Sequence, residues 1–143
     1  MTNSIAFTVP GQPQGKGRPR VGKVGGHARM FTPSKTVAYE GLISHAGQAA
    51  MHGRPLITGP VHVVLDIRLQ VPVSWSKKKQ AEALAGQVMP TTKPDIDNVE
   101  KAIFDGLNGV AWKDDVQVVG VSKRKRYSET PGVYIEIKEL GAQ

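Results

Sequence analysis

The chain has 143 residues, a length that suits one domain with one buried core and not two. Ordinary globular usage (39% hydrophobic, 22% charged) combines with 19 Lys plus Arg against 12 Asp plus Glu, a formal charge of +7. That balance favours a polyanionic partner, nucleic acid before a membrane surface, while the absence of cysteine excludes disulfide frameworks, thiolate zinc sites and cysteine nucleophiles.

Ile5, Phe7 and Val9 alternate with polar or small residues, which predicts a strand over 4–9 ended by Pro10-Gly11. Residues 10–33 are rich in Gly and Pro and carry Lys16, Arg18, Arg20, Lys23 and Arg29. They cannot form a helix. They predict an extended basic arm, or a loose hairpin turning near Gly25-Gly26, with a phosphate-contacting role; a bare linker is the alternative. Thr32-Pro33-Ser34 then signals a helix start, and Val37, Ala38, Leu42, Ile43, Ala46, Ala49 and Ala50 carry helical spacing over 34–51. His45 and His52 have no partner at ligand spacing and are expected to face solvent.

Residues 60–71 give the clearest strand. Val61, Val63, Leu65, Ile67, Leu69 and Val71 share one face; His62, Asp66, Arg68 and Gln70 share the other, as in an antiparallel sheet covered on one side. Residues 74–86 predict a short basic helix capped by Ser74 or Ser76 and closed by Gly86. Trp75 is expected to anchor it to the core, with base stacking as the alternative. Residues 116–127 and 132–138 predict strands joined by a turn at 128–132, as a closing hairpin. No apolar run approaches ~18 residues, and the first residues lack the charged start and apolar centre of a signal peptide. The expectation is a cytoplasmic protein formed as one domain over 1–143, with a basic arm at about 10–33.

The chemistry concentrates in residues 92–119, TKPDIDNVEKAIFDGLNGVAWKDDVQVV. Ile96, Val99, Ile103 and Leu107 fall on one face of a helix over 95–108. Pro94 stops backward extension, so Asp95 stands at the cap and Asp97 in the first turn. Capping alone would explain both aspartates. At a helix start, however, carboxylates at i and i+2 can converge on one hard divalent cation. Lys101 follows Asp97 by one turn, where it can hold a phosphate or pair with Asp97 or Asp105. Asp114 and Asp115 stand before the next strand and can supply a third carboxylate. That strand carries Lys123, Arg124, Lys125 and Arg126, split by alternation between both faces.

KPDIDN-VEKAIFDGLNG followed by AWKDDVQVV resembles the signature of the RusA family of Holliday-junction resolvases. The arm PGQPQGKGRPR, FTP and a helix containing Tyr39 resemble the phage-type branch of that family. The resemblance implies an α+β fold with a small mixed or antiparallel sheet and two to three helices, assembled as a homodimer. It implies Asp95, Asp97, Lys101 and Asp115 as catalytic residues. Asp95, Asp97 and Asp115 would hold Mg²⁺, for which Mn²⁺ substitutes, with Asn98 and Asp114 in support. Lys16, Arg18, Arg20, Lys123, Lys125 and Arg126 would contact the backbone phosphates of branched DNA. The implied reaction is symmetric phosphodiester hydrolysis of four-way junctions in recombination and repair. A flap or branched-DNA nuclease of phage replication and a non-catalytic DNA-binding module are the alternatives.

Overall fold

The strand with the cleanest alternation occupies the middle of the sheet. The computed structural model describes residues 3–17, 20–31 and 33–141. In chain order these form β1 (Ser4–Pro10), β2 (Arg20–Val24), β3 (His27–Phe31), α1 (Ser34–Met51), β4 (Val61–Gln70), α2 (Lys77–Leu84), α3 (Ile96–Leu107), β5 (Val118–Ser128) and β6 (Gly132–Glu139). A turn of 3-10 helix, Asp115–Gln117, leads into β5. The fold is α+β, with a mixed 4-stranded sheet and a separate 2-stranded ribbon of β2 and β3. Gly25 and Gly26 turn that ribbon with φ of 59° and 81°, the positive values a tight hairpin turn demands.

The main sheet has the order β1-β6-β4-β5. β4 runs antiparallel to β6 and parallel to β5, and β1 pairs antiparallel with β6. The predicted closing hairpin of β5 and β6 is therefore wrong, because β4 separates them. The cause lies in the side chains. Val61, Val63, Leu65, Ile67 and Leu69 are all buried, so β4 takes the centre. β5, with four consecutive cations, suits an edge.

One sheet face holds the core. Val63, Leu65, Ile67, Val133, Ile135 and Ile137 pack with Tyr39, Ile43 and Met51 of α1 and Val99, Ile103 and Leu107 of α3. α3 buries the stripe its spacing predicts, with Ile96 partly buried at its start. α1 turns differently from the expectation: Val37 and Leu42 are exposed, while Thr36, Tyr39, Ile43, Gly47 and Met51 point inward. Small residues set that choice, because α1 and α3 cross at glycine. A Cβ on Gly106 would lie 2.7 Å from Ile43 Cγ2, and one on Gly47 would lie 2.6 Å from Leu107 Cδ2.

These contacts give contrasting expectations for two helical glycines. Gly106→Ala should lower stability by about 1–3 kcal/mol through overpacking. Gly41→Ala on the open face of α1, where a Cβ meets nothing within 4 Å, should be neutral or stabilising. Denaturant midpoints check this; equal losses at both positions contradict the glycine crossing.

Candidate active site

α3 begins at Asp95, whose backbone is extended (φ −70°, ψ 146°) and whose carboxylate makes no capping hydrogen bond. That side chain is spared from the duty that usually explains an aspartate there. Asp97 lies in the first turn and is 88% exposed; its Oδ1 accepts a 2.8 Å hydrogen bond from Lys123 Nζ. The same ammonium lies 3.2 Å from Glu100 Oε1. The Asp97 hydrogen bond leads in raising the Lys123 pKa above its ordinary value; Glu100 adds to this, and partial burial works against it. The acidic start of α3 thus comprises Asp95, Asp97 and Glu100, faced by a lysine from the sheet edge. Sequence reading missed Glu100, although its i+3 spacing from Asp97 was the available signal.

Asp115 stands at the opposite end of α3. Its Oδ2 accepts from Asn108 Nδ2 at 3.3 Å, and Asn108 Oδ1 in turn accepts from the indole Nε1 of Trp112 at 2.7 Å. Trp112 is fully buried and packs edge-to-face on Phe104. The carboxylate is therefore aimed by an asparagine that a core tryptophan holds in place. Asn108 is a second residue that sequence reading missed. Asp114 caps the 3-10 turn by accepting from Val116 N, and Gln117 closes the box by accepting from Lys113 N and Asp114 N. Gln117 Nε2 also donates to the carbonyls of Ile57 and Gly59. The acidic loop is thus pinned to the rest of the fold.

The two acidic ends do not meet within one chain. From Asp97 to Asn108 the helix advances roughly 16 Å at 1.5 Å per residue. β5 says the same, since Lys123 lies about 16 Å beyond Val118 along an extended strand. Among the described residues, no three Asp, Glu or His side chains are grouped so as to hold a metal.

The remaining predicted residues occupy varied places. Lys101 is exposed, and among the described residues no carboxylate lies within ion-pair distance of it. Asn98 contributes its carbonyl, which accepts from Lys16 N at 2.9 Å and fastens the arm to α3. Lys16 Nζ bridges Glu40 of α1 and Asp105 of α3. Burial pulls its pKa down, but the two carboxylates outweigh that and leave it raised. Lys125 Nζ donates to the carbonyls of Thr92 and Pro94, holding the segment before α3. Arg126 binds Asp66 on the other sheet face. Arg18 lies outside the described residues, and of Arg20 only the backbone, in β2, is described. Trp75 is an anchor: it packs on Tyr127 at 5.3 Å between ring centroids.

A basic α+β chain that presents carboxylates at a helix start, with lysines beside them, has the equipment of a nuclease. Residues 10–138 match the family model described as endodeoxyribonuclease RusA, and the chain belongs to that family. It is also 41% identical over 142 residues to the protein YqaN of Bacillus subtilis (strain 168), across 96% of this chain and 98% of the relative, which is itself described as uncharacterized.

Asn108→Ala should lower stability by about 1–3 kcal/mol, because the buried Trp112 indole loses its acceptor. It should also lower DNA cleavage by the still-folded protein about 10- to 100-fold, the usual cost of losing a group that orients a functional side chain. Cleavage rates beside circular-dichroism melting check this. Undiminished cleavage contradicts the orienting role of the Trp112–Asn108–Asp115 chain.

Proposed function

We propose that this protein is a homodimeric, Mg²⁺-dependent endonuclease that resolves four-way DNA junctions, with each site built from Asp95 and Asp97 of one chain and Asp115 of the partner subunit. The observation that carries the proposal is the pair of prepared acidic ends. Asp95 is unused as a cap, Asp97 is exposed, Asp115 is aimed by Asn108, and the length of α3 keeps them apart in one chain. A two-fold axis exchanges the two ends, so one dimer would contain two complete sites.

The donors suit the ion: all are carboxylate oxygens, the ligands a hard divalent cation prefers. When bound, Mg²⁺, or Mn²⁺ in its place, supplies Lewis acidity to the scissile phosphate. The protein's own residues do the rest. Lys123 pairs with Asp97 and Glu100 in the free protein and offsets one of their two charges, and its flexible stem lets the ammonium turn from carboxylate to phosphate. Lys101, one turn behind Asp97 and free of carboxylate partners among the described residues, places positive charge where the transition state gains negative charge. Lys16, Lys125 and Arg126 reach phosphates only by sharing the internal partners they already hold. Two equivalent sites match the two equivalent strands of a four-way junction, and backbone contacts orient the substrate without reading its sequence.

A synthetic four-way junction, a flap and a linear duplex, each offered with Mg²⁺, test the reading. The junction should be cut symmetrically and preferred over the other two. Asp97→Asn should reduce cleavage on the order of 10²–10³-fold. Equal cutting of all three substrates would assign a general nuclease. Cleavage that survives Asp97→Asn would remove the acidic helix start from the chemistry.

A further inference from the structure

Opposite the core, the 4-stranded sheet carries no helix among the described residues, and its outward side chains gather around one acid. Asp66 should face solvent by alternation, yet it is only 7% exposed, because three arginines fold over it. Arg68 Nε lies 3.0 Å from its Oδ2, and Arg124 Nε lies 3.2 Å from its Oδ1. Arg126 binds side-on, through Nε and through Nη2 at 3.0 Å. Burial pushes the Asp66 carboxyl up, but the guanidiniums outweigh it and hold the pKa below its ordinary value. The acid is therefore charged at neutral pH.

One carboxylate cannot balance three guanidiniums. Glu136 and Lys138, one of each sign on the same face, cancel, and Glu129, which lines the neighbouring depression with Arg68 and Arg126, offsets at most one more charge, so a net positive charge remains. Arg68 and Arg124 spend only Nε on Asp66, so their terminal Nη groups make no hydrogen bond to it and keep donors for a phosphate. Arg124 is 70% exposed. The three arginines rim an open depression of about 520 Å³ that includes Ser122 and Tyr134. Arg68 lies 5.6 Å from the Tyr134 ring centroid, which further fixes it.

We propose that this uncovered face binds the phosphate backbone of a DNA arm, with Arg124 and Arg68 as the contacting groups and Asp66 as the positioning residue. Charge complementarity argues for this occupant, since a polyanion supplies the missing negative charge. Position agrees, because Arg124 adjoins Lys123 on the edge strand while pointing to the opposite face. A branched substrate crossing that edge would meet the acidic helix start on one side and the arginines on the other. The proposal rests on the reading of the protein as a junction nuclease.

Junction binding measured without divalent cation, across a salt series, tests it. Arg124→Ala should weaken binding several-fold and reduce the slope of log K against log salt by about one. Asp66→Asn should raise KM with little change in kcat, and a melting curve verifies its fold; if it unfolds, Arg124→Ala alone decides. Unchanged affinity and slope for Arg124→Ala overturn the proposal. So does a shift from dimer to monomer in sedimentation with the salt slope intact, which would make the face a contact between copies. If Asp97→Asn abolishes cleavage while Arg124→Ala binds normally, only this inference fails. A wild-type protein without junction affinity fails both.

Discussion

The structure depends on α3 as a rigid spacer. Its apolar stripe is locked into the core by Val99, Ile103 and Leu107, and its backbone is pressed against α1 at Gly106. Neither end can shift without breaking that packing. The acidic start and the Asn108–Asp115 end are therefore held at a separation set by the length of the helix. No side-chain rotation can close that gap. On the proposed reading, chemistry that uses all three aspartates draws Asp115 from a second chain.

β5 complements the spacer from the sheet edge. Alternation sends Lys123 and Lys125 toward α3 and Arg124 and Arg126 to the uncovered face. Lys123 holds the acidic helix start, and Lys125 secures the segment just before it. Lys16 does similar work on the far side, tying α1 to α3 through Glu40 and Asp105. The positive charge that suggests a nucleic-acid partner thus has two physical roles. Part of it sets the positions of carboxylates and loops. Part of it, the excess around Asp66, has no carboxylate but Asp66 within ion-pair distance among the described residues.

Much of this was legible in the sequence, for stated reasons. A period of two exposes β4, a helical stripe exposes α3, and paired glycines mark the β2–β3 turn. Asp95 and Asp97 at the helix start follow from Pro94 and the stripe that begins at Ile96. Strand order was not legible, because alternation tells which face a residue takes and not which strand lies beside it. That is why β5 and β6 look like a hairpin and are not one. The partners of long charged side chains were equally hidden. Spacing pairs Asp97 with Lys101, whereas the fold pairs it with Lys123, 26 residues away. Asp66 is read as a solvent-facing residue because its burial depends largely on Arg124 and Arg126 from a neighbouring strand, which join Arg68 of its own. Asn108 carries no signal of its own until Trp112 and Asp115 are brought around it.

The shared site is tested most directly by mixing two inactive chains. Dimers that combine Asp97→Asn with Asp115→Asn would hold one site with both substitutions and one site with neither. The mixture should regain Mg²⁺-dependent nicking of one junction strand, although each variant alone is inactive. A mixture in which mixed dimers form and stay as inactive as the separate variants would contradict the sharing of each site between two chains.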